Sequence, residues 1–393
     1  LLVLVLAGCG GRTGSTTGAE AADSSTEPCE GAVFEYRDVC FHSFSVEAVG
    51  RYPFRYPFDL DGEPGHELIG VRDDQVKVYR FDGQGFVLAH EAETPPGVSE
   101  YPGIVAGEFD EIPGLDLIIA EAGKWAAFYH LDEDGAPTLV GQTALAGGSS
   151  VAMEQPVAIG PDTSGRWRVV GHYENAQEIP ARDALALWEI QGTELVQVER
   201  LDLQSDLCNV SDCGNGDFDG DGRTDVVCTI SVTCTNVSKD YKDQVVLLAQ
   251  PDGTVSVAVY PEKWGQYFVT TDLDGDGITD LVDSLWYRMG DGKGGLRPAT
   301  ELELPPPPML DWDLVSAGDL DGNGDIEVVI GDYTHALVFD DIVGAPQSYE
   351  MFEVNDPSLG FSSTRTAAAI DVNADKIADL PMWDSLLVSE LRK

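Results

Sequence analysis

The feature that most constrains this chain is an acidic nine-residue loop that returns along its length. Asp217-Phe-Asp-Gly-Asp-Gly-Arg-Thr-Asp225 reappears as Asp272-Leu-Asp-Gly-Asp-Gly-Ile-Thr-Asp280 and as Asp319-Leu-Asp-Gly-Asn-Gly-Asp-Ile-Glu327. Looser copies are Asp371-Val-Asn-Ala-Asp-Lys-Ile-Ala-Asp379, Asp59-Leu-Asp-Gly-Glu-Pro-Gly-His-Glu67 and the worn Glu108-Phe-Asp-Glu-Ile-Pro-Gly-Leu-Asp116. Where a further copy is due, the chain reads Gly160-Pro-Asp-Thr-Ser-Gly165 between two apolar runs. The starts fall near 59, 108, 160, 217, 272, 319 and 371, a mean spacing of about 52 residues. Seven units at that period predict a propeller or a solenoid, not independent domains.

The flanking residues choose between these. Short apolar runs follow each loop, as in Glu67-Leu-Ile-Gly-Val71, Asp116-Leu-Ile-Ile119 and Glu327-Val-Val-Ile330. Further runs such as Gln244-Val-Val-Leu-Leu248 come after a turn, and Gly-Asp turns such as Pro251-Asp-Gly253 precede another. Runs of four to six β-branched residues bounded by Gly, Asp and Pro read as strands. Each unit is then strand, acidic loop, strand, turn, strand, hairpin, strand, which is a four-stranded propeller blade. No stretch carries capped 3.6-residue periodicity, so helices should be nearly absent. The expected fold is therefore all-β, a seven-bladed propeller over residues 31–393. After its loop the last unit is one strand short, and Phe41–Val49 is a spare strand ahead of the first loop. That segment is predicted to supply the outermost strand of the seventh blade and so close the ring, protecting exposed edges.

Within a good loop, positions 1, 3, 5 and 9 carry oxygen side chains and position 7 offers its carbonyl. Calcium takes six to eight oxygens in a flexible shell, whereas magnesium retains waters and uses fewer protein ligands. Carboxylates gathered this closely repel one another without a cation between them. Turns need Asp and Gly but not carboxylates at all four positions. The expected ligand sets are Asp217, Asp219, Asp221, Arg223 and Asp225; Asp272, Asp274, Asp276, Ile278 and Asp280; and Asp319, Asp321, Asn323, Asp325 and Glu327. Two more are Asp371, Asn373, Asp375, Ile377 and Asp379, and Asp59, Asp61, Glu63, Gly65 and Glu67. That makes about five Ca²⁺ sites. The loop at 108–116 has Ile112 at position 5 and is left open, and the third unit is assigned no metal. An EF-hand needs a bidentate Glu at position 12 and flanking helices. Position 12 here is Cys228, Asp283, Ile330, Met382 or Gly70, so that reading fails.

The run Gly318-Asp-Leu-Asp-Gly-Asn-Gly-Asp-Ile-Glu-Val-Val resembles the FG-GAP/VCBS repeat family, whose loops also occur in the integrin α-subunit propeller. The resemblance covers roughly residues 41–393. It implies calcium-stapled blades with their loops on one face. It does not imply one function, since the family includes adhesins, lectin-like modules and accessory domains of polysaccharide-degrading enzymes.

The amino terminus suggests export. Leu1–Leu6 is apolar, lacks an initiator Met and a charged flank, and is read as a truncated signal segment, residues 1–8. Leu6-Ala7-Gly8-Cys9 resembles a bacterial lipobox, which implies lipidation of Cys9, and residues 9–30 read as a flexible tether. Six further cysteines suggest disulfides. Clustering favours Cys29 with Cys40 and two bridges among Cys208, Cys213, Cys228 and Cys234. A zinc site is disfavoured by the lack of Cys-x-x-Cys and of a neighbouring His. The 69 acidic against 23 basic residues, a net charge of −46, exclude a basic nucleic-acid face. Five divalent ions would take −46 only to −36, so most of the acidity must sit elsewhere.

No His-Glu-x-x-His, Gly-x-Ser-x-Gly, Walker or dinucleotide pattern occurs. His66, inside the first loop, reads as solvated or ligand-adjacent. Carboxylate pairs carry no weight in so acidic a chain. Most of the seven Trp are expected in the blade core, and Tyr52, Tyr56, Trp264, Tyr267 and Tyr287 are the first candidates for stacking on sugar. The expectation is a monomeric, non-enzymatic lipoprotein of the cell envelope, reaching the membrane through Cys9 alone. It would be held at the outer membrane, periplasmic or surface-facing, and would bind carbohydrate or protein. The rivals are a polysaccharide lyase or hydrolase using the channel, and a scaffold subunit of an envelope complex.

Overall fold

Runs of β-branched and aromatic residues broken by Gly, Asp and Pro do fold as strands. A computed structural model describes residues 29, 32–46, 57–60, 65–98, 102–110, 112–121, 124–145, 156–175, 182–201, 209–231, 242–264, 268–305, 313–331, 335–353, 370–381 and 385–391. The described secondary structure is entirely β, arranged as seven antiparallel four-stranded sheets. In blades 1 to 6 the strands pair in chain order, from the innermost outward. Blade 1 is Pro57–Phe58, Glu67–Arg72, Gln75–Phe81 and Phe86–Glu93. Blade 2 is Gly103–Gly107, Asp116–Glu121, Trp125–Leu131 and Pro137–Ala144. Blade 3 is Val157–Ile159, Arg168–Asn175, Arg182–Gln191 and Glu194–Leu201. Blade 4 is Asn209–Gly216, Asp225–Ser231, Lys242–Ala249 and Val255–Trp264. Blade 5 is Val269–Thr271, Asp280–Val282, Trp286–Arg288 and Thr300–Glu301. Blade 6 is Asp313–Gly318, Glu327–Gly331, His335–Phe339 and Glu350–Glu353.

Blade 7 joins the two ends of the chain. Leu380–Pro381 pairs with Ser385–Leu391, which pairs with Val39–Ser45. A bridge from Ile370 to Asp379 marks the inner edge. The N-terminal strand closes the ring as expected, with one correction: it is not the outermost strand of the blade. Phe34–Tyr36 folds back on Val39–Ser45 as a further strand outside it. The hairpin is stapled by Cys29–Cys40.

Burial follows position in the blade. Second strands are sandwiched between neighbouring blades, so Asp116–Glu121 and Glu327–Gly331 are buried at every residue. Fourth strands face solvent, and Pro137–Ala144 is mostly exposed or half-buried. Seven apolar clusters result, each shared by two adjacent blades. One joins Ile69, Val78 and Tyr129 across blades 1 and 2, and another joins Leu68 of blade 1 to Leu386 of blade 7. With about 1.5–3 kcal/mol for each fully buried aliphatic or aromatic side chain, these seams are the main cohesion of the ring. Trp125 and Trp188 are core residues, as expected. Tyr287 is buried too and donates its hydroxyl proton to Val343 O at 3.4 Å, so it offers no stacking face. Tyr52, Tyr56 and Tyr267, like residues 9–28 of the tether with Cys9, lie outside the described residues, and nothing is described of the Trp264 side chain.

Candidate metal centres

The acidic loops link the first and second strands of the blades, so the topology gathers them at one end of the ring. In blades 4 to 7 the loop backbone is shaped by two left-handed residues, at positions 4 and 6. In blade 4 these are Gly220 and Gly222, with φ of 77° and 82°, in blade 5 Gly275 and Gly277, and in blade 6 Gly322 and Gly324. Glycine adopts that conformation without steric cost. Blade 7 keeps the same shape with Ala374 and Lys376, at φ of 63° and 70°.

This shape turns main-chain N–H groups onto the position-1 carboxylate. The position-6 N–H donates to Asp217 Oδ2 at 2.8 Å, to Asp272 Oδ2 at 2.8 Å, to Asp319 Oδ2 at 2.9 Å and to Asp371 Oδ2 at 2.9 Å. The position-7 N–H donates to the position-5 side chain: Arg223 to Asp221, Ile278 to Asp276, Asp325 to Asn323 and Ile377 to Asp375. The side chains are thereby held with oxygens facing one another.

Position 2 was missed by the sequence reading. It is apolar in every acidic loop, and Leu60, Phe109, Phe218, Leu320 and Val372 are buried as plugs. The position-2 N–H donates to the position-9 carboxylate: Phe218 to Asp225 at 3.0 Å, Leu273 to Asp280 at 2.8 Å, Leu320 to Glu327 at 2.6 Å and Val372 to Asp379 at 2.8 Å. Position 9 is thus a buried structural acceptor besides a candidate ligand. In three blades its second oxygen takes another N–H, from Ala249, Gly290 or Ser389. In blade 6 the second oxygen, Glu327 Oε1, is buried and has no hydrogen-bond partner among the described residues.

Burial pushes the Asp225, Asp280 and Asp379 carboxyls up to about 7 and that of Glu327 up to about 8, and neighbouring acids of the same loop add to the shift. A cation among them would favour the charged forms. Oxygens on one ion at 2.3–2.6 Å lie no more than about 5 Å apart. The facing oxygens of Asp217, Asp219 and Asp225, of Asp272, Asp274 and Asp276, and of Asp319, Asp321 and Glu327 all fall within 4.8 Å of each other. The residues therefore fit a calcium-sized ion.

The remaining expected ligands are placed differently. Asp221 Oδ2 is turned to the Arg223 guanidinium. Asp280 stands apart from its loop's cluster, and Asp325 is exposed. In blade 7 Asn373 donates to Asp375 Oδ2 at 3.0 Å and to Ser389 O at 2.7 Å. In blade 1 Asp61 and Glu63 lie outside the described residues, while Glu67 accepts from Leu60 N and is 3.4 Å from Arg80 Nε. The open loop of blade 2 brings Asp110, Asp116 and His130 together. The third unit carries Arg168 where the others carry the position-9 acid.

The loops are also strung together. Main-chain N–H groups at position 8 donate to the position-1 carbonyl of the preceding blade: Thr224 to Gly160, Thr279 to Asp217, Ala378 to Asp319 and, across the closure, His66 to Asp371. His66 adds its ring, Nδ1 lying 3.0 Å from Asp371 O, so it serves the seam. Of the expected bridges in the 208–234 group, Cys213–Cys228 is present, joining directly paired residues of the two inner strands of blade 4. Cys208 and Cys234 lie outside the described residues.

Residues 217–282, from the loop of blade 4 to the second strand of blade 5, match the model of an FG-GAP-like repeat. No curated protein matches the chain in sequence. A solved structure described as the Dos1 propeller aligns at 12% identity and a TM-score of 0.49, over 84% of this chain and 76% of that one. Seven four-stranded sheets closed through blade 7 make the described residues a β-propeller, and one stretch of it, from the loop of blade 4 into blade 5, is similar to an FG-GAP-like repeat.

Proposed function

We propose that the protein is a calcium-pinned binding module of the cell envelope, anchored through Cys9 and engaging a carbohydrate or a protein partner. The observation that carries the calcium reading is Glu327 Oε1, a buried oxygen with no hydrogen-bond partner among the described residues, whose side chain faces Asp319 and Asp321. Leaving such a group unsatisfied costs about 1–3 kcal/mol or more, and a divalent ion removes that cost. Two disulfides accord with an oxidising compartment outside the cytoplasm. FG-GAP propellers are generally binding or adhesion modules, which supports a binding role. The ion is structural here: Asp and Glu of the loops hold it, and it cancels their repulsion.

The test is a panel of polysaccharides and envelope glycans incubated with the protein, with and without calcium, scoring retention and reducing-end release together. Calcium-dependent retention without release is the expected result. Release of reducing ends would make the protein an enzyme. If neither occurs with folded protein, co-purification should identify a protein partner. Asp274→Ala should lower the melting temperature gained on adding calcium, and an unchanged gain would count against the ion assignment.

A further inference from the structure

We infer that in blades 1, 2 and 3 side chains of the protein itself replace the cation that the other acidic loops call for. The inference rests on the calcium reading above and concerns which loops need the metal. It comes from the strand register. In each blade the position-9 residue opens the second strand and faces one residue on the third. Asp116 is paired directly with His130. One step beyond the printed pairs, Glu67 faces Arg80, Arg168 faces Glu189, Asp225 faces Leu248, Asp280 faces Met289, Glu327 faces Asp340 and Asp379 faces Val388.

The ring divides at this position. In blades 1 and 2 a cationic or N–H-donating side chain stands across from the buried acid, with Arg80 Nε 3.4 Å from Glu67 Oε1 and His130 Nδ1 3.0 Å from Asp116 Oδ1. Arg80 also donates to Asp134 O of blade 2 at 2.8 Å, so it bridges two blades. In blade 3 the pair is reversed: Arg168 holds the position-9 place and its Nε is 2.5 Å from Glu189 Oε1, with Arg166 3.8 Å from the other oxygen. In blades 4, 5 and 7 the facing residue is apolar, and in blade 6 it is a second acid. Among the described residues no cation on the third strand faces position 9 there, and in blade 7 Asp379 accepts instead from the neutral Ser389 hydroxyl at 3.0 Å.

A second, independent feature divides the ring in the same way. The loops of blades 4 to 7 depend on a left-handed residue at position 6 whose N–H reaches the position-1 carboxylate. In blades 1 and 2 position 6 is Pro64 and Pro113. Proline has no N–H and its φ is held near −65°, so neither requirement can be met. Pro64 lies outside the described residues. In blade 3 the loop is closed by Asp162 Oδ1, which accepts from Ser164 and Arg166, without an acid at position 9. Asp110, Asp116 and His130 could in principle hold an ion, but imidazole nitrogen is a poor ligand for calcium, which selects oxygen.

The experiment is hydrogen exchange on the full chain with calcium and with chelator, alongside a count of bound Ca²⁺. Protection of 67–72, 116–121 and 168–175 should be the same in both. Protection of 225–231, 280–282 and 327–331 should fall by about tenfold or more without calcium. Glu67→Gln should leave the Ca²⁺ count unchanged, and Asp274→Asn should reduce it by one. Arg80→Met should lower the melting temperature equally with and without calcium, with recovery in Arg80→Lys. The inference is overturned if the first three strands lose protection with the others, or if Glu67→Gln releases an ion. If no calcium binds at all, the calcium reading itself fails, an outcome distinct from extra sites in blades 1 to 3.

Discussion

Asp225 shows why one residue type recurs at position 9. Its side chain is fully buried, accepts N–H groups from Phe218 and Ala249, and closes the loop onto two strands at once. Asp225→Ala would strand both donors, each costing about 1–3 kcal/mol, so a loss of about 3 kcal/mol is expected in chemical denaturation. A loss under about 1 kcal/mol would refute this role. The same residues set a pH dependence when calcium is absent. The folded carboxyls of Asp225, Asp280, Asp379 and Glu327 titrate near 7 to 8, above their unfolded values of 3.8 and 4.5. Between these values the folded chain binds more protons than the unfolded one, so stability falls as pH rises from about 4 to about 8. Calcium-free protein should unfold at lower denaturant at pH 8 than at pH 5, and calcium should narrow the gap. Equal midpoints without calcium would contradict the burial argument. The acidic positions of these loops were legible in the sequence, because they recur at fixed spacing along it. The second duty of position 9 was not, since its N–H donors and its facing residue depend on strand register.

At the scale of the blade, turn residues and β-branched runs were enough to read four strands per unit. The shortage in the last unit was enough to place the N-terminal strand. The hairpin outside that strand was not readable. Phe34–Tyr36 is only three residues, and what holds it is Tyr36 packing edge-on to Phe352 of blade 6 at 5.9 Å, a contact between distant segments. Arg37, in the turn, reaches Asp340 at 2.5 Å and also pairs with Asp321 of the blade 6 loop. Removing residues 29–46 would expose the whole edge of Ser385–Leu391 and take Tyr36, Val39 and Phe41 out of the apolar seam with blade 6. Exposed strand edges template association. The shortened chain should therefore scatter light as aggregates on mild warming where the intact chain stays monodisperse. A truncated protein that melts like the parent would mean the ring does not need this closure.

Over the whole molecule, electrostatics and cohesion oppose each other. Seven apolar seams draw the blades together while a net charge of −46 pushes outward. Ions in blades 4 to 7 would take the −46 only to −38. Most of the repulsion is then between exposed carboxylates and open to screening. As monovalent salt shortens the Debye length from about 10 to about 3 Å, the melting temperature of calcium-loaded protein should rise. A fall would place the dominant electrostatics in attractive pairs instead.

The staple in the N-terminal hairpin decides how the molecule meets mechanical load. Tension applied upstream of Cys29 is carried across the disulfide to Cys40, at the start of Val39–Ser45, and bypasses Phe34–Tyr36. The pull therefore enters the sheet on a strand zipped along its full length to Ser385–Leu391. Reduction would reroute the same pull through the short outer strand, which could be peeled away a few bonds at a time. A propeller so built would withstand a pull on its N-terminal segment while oxidised and would unravel from its edge once reduced.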